Sequence, residues 1–127
     1  MLKKEGKEEM KVKYSEIVNA NEPISIIAKE KVSVKEAVGI ARIIKVLSEE
    51  FAIYQAKQKE LLDKYGTPAE NGRYTFADNE SAMKFNEDYA ELLDYEAELA
   101  IEPVKLVSDI KIDAETIMRV DKFIDFD

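Results

Sequence analysis

SVKEAVGIARIIKVLSEEFAIYQAKQKELLDKYG, residues 33–66, is the longest uninterrupted periodic stretch of the 127-residue chain. Both of its ends are marked. Ser33-Val34-Lys35-Glu36 has the spacing of a capping box, in which serine and glutamate satisfy each other's orphan amide donors. At the far end Lys64 complements the helix dipole, Gly66 supplies a left-handed cap and Pro68 prevents continuation. In between, Ala37, Ala41, Ile44, Leu47 or Ser48, Phe51, Tyr54, Gln58, Leu61 and Tyr65 recur at alternating three- and four-residue steps. Such a narrow seam belongs to a long antiparallel helix pair or a coiled coil. Ile40, Ile43 and Ile53 widen the apolar face, mostly in the N-terminal half. The spacing predicts a single helix over 34–65, about 48 Å long. Gly39 inside it costs about 1 kcal/mol relative to alanine, which points to a close crossing by another helix.

Upstream, residues 1–13 are rich in lysine and glutamate and read as a frayed or loosely helical arm, leaving 14–127 as one domain. Lys3, Lys4, Lys7, Lys11 and Lys13 suggest a nucleic-acid arm, but Glu5, Glu8 and Glu9 offset them, and phosphate binding needs uncompensated charge. Ser15 is the expected N-cap of the next segment. Pro23, which lacks a backbone donor, divides that segment into two short helices over 15–21 and 22–31.

Downstream, Asn71-Gly72 is a tight-turn dipeptide and Arg73-Tyr74-Thr75-Phe76 has strand propensity. Together they give a small hairpin or an ordered loop across the helix tip. Asp78 or Asn79 caps a third helix, whose face of Ala82, Phe85, Tyr89 and Leu92/Leu93 meets the Phe51–Leu62 part of the long one. From Asp94 the period changes to two. Ala97, Leu99 and Ile101 mark a half-buried strand ending near Pro103, and Ile110 and Ile112 a second. Asp113 caps a last helix, with Ile117, Val120 and Ile124 turned inward. The fold class is α+β: a long helical hairpin, a two- or three-stranded antiparallel sheet and a C-terminal helix.

Several chemistries are disfavoured. The chain has no cysteine and no histidine, which removes thiolate chemistry and the side chain best suited to proton transfer near neutral pH. Four scattered glycines form no phosphate loop or dinucleotide fingerprint. No apolar run has the length of a membrane span. The best enzyme candidate is the carboxylate row Asp94, Glu96, Glu98 and Glu102, whose oxygens suit magnesium. Ala100 interrupts that row, and a solvated strand face explains the same residues. Neither a catalytic residue nor a resident metal or cofactor is expected. The net charge of −8 is unevenly placed. Thirteen basic and eleven acidic side chains lie in residues 1–66, against six and sixteen in 67–127. The acidic half is either a plain solvated surface or a field offered to a basic partner.

The order SEIVNA, KVSVKEAVGIARIIKVLSEEF, YQAKQKELLDKYG, NGRYTF, FNEDYAELLDYEAELAIEPV and IDAETIMRVDKFID resembles a family of small phage and prophage proteins of Gram-positive bacteria, of uncharacterised function. The likeness runs from about residue 12 onward, and the basic start and Pro23 depart from it. It implies a viral or prophage origin and carries no catalytic residues; because the start MLKKEGKEEMKVK lacks the apolar core of a signal peptide, the expected place is the cytoplasm of the bacterial host, or the virion. The expected activity is non-enzymatic: a small structural, assembly or chaperone-like component acting on a phage or host protein, or on a second copy of itself. The candidate interface is Tyr54, Gln58, Leu61 and Tyr65, an inner seam if the third helix covers it and an outer contact if not. The alternatives are an acidic inhibitor of a host defence or nucleic-acid-acting protein, and a magnesium-dependent enzyme built on Asp94–Glu102.

Overall fold

The computed structural model describes residues 9–126. Its elements run β1 (Met10–Lys13), α1 (Tyr14–Ile27), α2 (Val34–Tyr65), β2 (Thr67–Pro68), β3 (Tyr74–Thr75), α3 (Asn79–Asp94), β4 (Glu96–Leu99), β5 (Val104–Leu106), α4 (Ala114–Val120) and β6 (Ile124–Phe126). The 32-residue α2 is the single continuous rod that its capping signals predict. Packed antiparallel on its C-terminal half, α3 completes the helical hairpin. Among the described residues no helix is long and apolar enough to cross a membrane.

The start of the chain differs from expectation. Residues 1–8 of the expected arm lie outside the described residues, but Met10–Lys13 is a strand paired antiparallel with β4, not loose helix. The side chain of Val12 is fully buried. Val12, with Met10 half-buried against the core on the same side, anchors the strand, while Lys11 and Lys13 lie opposite Glu98 and Glu96. The N-cap of α1 is accordingly Lys13, not Ser15, and the Lys13 N–H donates to the Glu16 carboxylate at 2.8 Å.

Pro23 does not divide α1. Proline leaves the Asn19 carbonyl without its helical donor, at a cost of about 3 kcal/mol. Ile17, Ile24 and Ile27 of the same helix are all fully buried, and each contributes roughly 1.5–3 kcal/mol. Burial wins.

The face that α2 turns to the core is rotated from the predicted seam. Ile40, Ile43, Leu47 and Tyr54 are buried, together with Glu36, while Ala37 and Ala41 are exposed. The bulky isoleucines bring more apolar area to the core than alanines do. Gly66 is a second correction: its φ of −114° is extended, not left-handed. Glycine is favoured there by crowding, since a Cβ would sit 3.0 Å from the Leu62 carbonyl and 3.3 Å from that of Thr75. Beyond it Asn71 and Gly72 both have positive φ (62° and 73°), and the Arg73 N–H donates to the Glu70 carbonyl. This is the mirror-image turn an Asn-Gly hairpin requires, and it closes β2 on β3.

The sheet is not one layer but three two-stranded ladders: β1–β4 and β2–β3 antiparallel, β5–β6 parallel. The expected strand at Ile110 and Ile112 does not form, and Val104–Leu106 takes that role. The last helix stops at Val120, where Phe123 turns the chain back: its N–H donates to the Val120 carbonyl at 2.8 Å and its carbonyl accepts from the Val104 N–H at 2.9 Å. Asp78 and Asp113 cap α3 and α4 as the sequence predicts, each accepting an amide N–H at 2.8 Å.

Candidate functional site

The N-terminal half of α2 runs alongside residues 100–107, and two sequence features bring them together. Gly39 is the first. A Cβ at this position would lie 2.6 Å from Val104 Cγ2, so glycine permits strand β5, not the expected helix, to cross α2 closely. The second is Glu36, only 4% exposed and yet charged. Its carboxylate accepts from the Ser33 N–H and hydroxyl, both at 3.0 Å, which completes the predicted capping box. The same carboxylate also accepts from the Val107 N–H at 2.6 Å, the Ser108 N–H at 3.1 Å and the Ser108 hydroxyl. The Ser108 hydroxyl foremost, then the Ser33 and Val107 amides, hold the Glu36 carboxyl down at about 2. A group that caps α2 locally thus also clasps a loop 71 residues away.

Between these walls lies an open groove of about 890 Å³. Its lining includes Val38, Val46, Ile101, Pro103, Val104 and Val107 as apolar surface. Val38 is 45% exposed and Val107 63%, so large apolar side chains meet solvent along the rim. Lys35, Arg42, Lys45 and Lys105 stand around it, against Glu49, Glu102 and the clasped Glu36. None of these four cations has an ion-pair partner among the described residues, which is also true of Lys11, Lys29, Lys31, Lys64, Arg73 and Lys111; what sets the four apart is that they surround one groove. On a chain of net charge −8 this is a local cationic margin around an apolar floor. An arrangement of this kind suits an amphipathic segment that carries carboxylates.

Most of the candidate interface residues take the inner-seam alternative. Tyr54 is 5% exposed and its phenol oxygen lies 2.5 Å from that of Tyr89. Burial, then that hydrogen bond, raises its pKa. Gln58 Nε2 reaches the same Tyr89 oxygen at 3.5 Å, and the Tyr65 hydroxyl donates to Asp88 at 2.7 Å. Tyr54, Gln58 and Tyr65 are therefore drawn into the α2–α3 seam. Leu61, half-buried, borders a second groove of about 610 Å³ that also holds the exposed Ile53 and Tyr95. Tyr14 extends the aromatic seam edge-on to Tyr54. Burial, then its hydrogen bond to Glu50, pushes the Tyr14 phenol up to about 12.

The carboxylate row does not converge. Glu96 and Glu98 face Lys13 and Lys11 across the β1–β4 ladder, and Asp94 is bridged to Lys13 at 2.8 Å. Glu102 lies apart, in the groove. Among the described residues no group of three or more acidic, histidine or cysteine side chains is arranged to hold a metal ion.

No protein-family model, curated protein or solved structure matches the chain. The functional reading rests on the groove itself. The α2 half of that groove, outside the predicted seam, does carry a sequence signal: Lys35, Val38, Arg42, Lys45 and Val46 recur at helical spacing on the side of α2 away from Leu47. The other half, Lys105 and Val107, carries no sequence signal that would place it there.

Proposed function

We propose that the protein is a non-enzymatic interaction component that binds an acidic, amphipathic segment of another protein in the groove between α2 and residues 100–107. The setting proposed is assembly of a phage or prophage particle, in keeping with the viral or prophage origin that its resemblance implies. The observation that carries the reading is the coincidence of exposed Val38 and Val107 with four ammonium or guanidinium groups that lack intramolecular partners among the described residues. Desolvating apolar surface supplies affinity, and the cations select the sign of the partner.

A fluorescent acidic amphipathic helix peptide, unrelated in sequence to this chain, tests the reading by anisotropy. Binding is expected, and the substitution Arg42→Glu is expected to weaken it about tenfold. Arg42 is exposed, so circular dichroism of the variant should match the parent. Absence of binding, or equal binding by Arg42→Glu, would overturn the reading.

A further inference from the structure

The groove sits at the N-terminal end of the α2 rod, alongside Ser33–Glu49. The C-terminal end carries a surface of opposite character. There α3 packs on α2 through Tyr89 and Asp88 and turns Glu80, Met83, Lys84, Glu87 and Glu91 to solvent. These positions follow helical spacing and make one stripe. The stripe is acidic on balance: its one cation, Lys84, is bridged to Glu80 at 3.4 Å, and Glu87 and Glu91 have no ion-pair partner among the described residues. It also bears one large exposed apolar side chain, Met83, at 61%.

We infer that the acidic outer stripe of α3 from a second copy of this chain docks in the cationic groove of the first. This rests on the reading of the groove given above and names its occupant. Three matches support it. The net charge signs are opposite: Lys35, Arg42, Lys45 and Lys105 outnumber Glu49, Glu102 and the clasped Glu36 on the groove, and Glu80, Glu87 and Glu91 outnumber Lys84 on the stripe. The lengths agree, since Lys35 to Lys45 and Glu80 to Glu91 each span about 15 Å of helix. Both surfaces are also apolar at a matching point, with Met83 available to seat between Val38 and Val107. The two surfaces are different patches at opposite ends of one rod, so the contact is heterologous. Each docked copy leaves a free groove at one end and a free stripe at the other. Association therefore continues head to tail, into a ring if the rotation closes and into a filament if it does not.

Sedimentation of the full chain over a concentration series tests this, with two exposed-residue variants, Arg42→Glu and Glu87→Lys. The parent is expected to grow in mass with concentration, and raising salt to half-molar to weaken association about tenfold. Each variant alone is expected to remain monomeric, one lacking a groove and the other a stripe. Mixed in equal amounts they should associate, to a dimer at least, because the intact stripe of Arg42→Glu fits the intact groove of Glu87→Lys, and the reversed charges are opposite in sign at the remaining contact. That mixture also shows that both variants are folded. A parent that stays monomeric, variants that associate like the parent, or a mixture that stays monomeric would each overturn the inference. A monomeric parent whose groove still binds the unrelated acidic peptide defeats this inference alone; loss of peptide binding defeats the groove reading itself.

Discussion

Replacing Glu36 by alanine is expected to lower the thermal midpoint by roughly 5–10 °C at neutral pH. The substitution leaves the Val107 and Ser108 amides without their acceptor and opens the capping box of α2 in the same step. Its pH dependence distinguishes this from a generic surface loss. The folded state holds the Glu36 carboxyl at about 2, down from 4.5. The unfolded chain therefore takes up its proton first as the solution is acidified. The contribution is complete above about pH 4.5, declines as pH falls towards 2 and is gone below that. Melts followed by circular dichroism should show the largest gap between parent and Glu36→Ala at pH 7, narrowing steadily through pH 4 and 3. The carboxyls of Glu16, Asp63, Asp78 and Asp113 are also held low, by hydrogen bonds to caps and neighbours, but they are common to both chains and cancel in the difference. A gap that does not change with pH would mean that the charge of Glu36 is not what clasps the loop.

Phe123→Ala should have the larger effect on stability, about 3–5 kcal/mol, as expected for emptying a buried phenylalanine site. Phe123 is 1% exposed and its backbone ties the C-terminal turn to Val104. Loss of its ring loosens the β5–β6 ladder, and with it the wall that faces Gly39. Chemical denaturation should show the midpoint move with little change in slope. The acidic-peptide affinity of the folded fraction should fall as well, because the groove loses the strand that defines one side. A variant as stable as the parent would show that the parallel ladder is not a structural closure.

Local signals made much of this fold legible. The capping box at Ser33, the Asn71-Gly72 turn and the aspartate caps at 78 and 113 are each decided within four residues, and each forms as read. The failures have a common cause in long-range packing. Val12 looks unremarkable among lysines, and only pairing with β4 makes it core. Pro23 contradicts a helix locally, and only the burial of three isoleucines overrides it. The β5–β6 ladder is parallel and joins segments on either side of α4, so no hairpin signal announces it. Gly39 announced a close approach but not the identity of the approaching strand. The rotation of the α2 face had a readable cue, since Ile40 and Ile43 outweigh Ala37 and Ala41 in apolar area. The candidate site divides in the same way. Its α2 side follows from periodicity, and its other side depends on Glu36 reaching Val107 and Ser108.

The central claim is that the groove beside the N-terminal half of α2 is a docking surface and that the outer stripe of α3 fits it. Amide chemical shifts of the full chain, followed from dilute to concentrated solution, test this most directly. Shifts should move in two separated sets, around Lys35–Val46 with 100–107 and around Glu80–Glu91, and both should revert on adding salt. Unchanged shifts, or changes centred instead on the Ile53–Tyr95 groove, would contradict it.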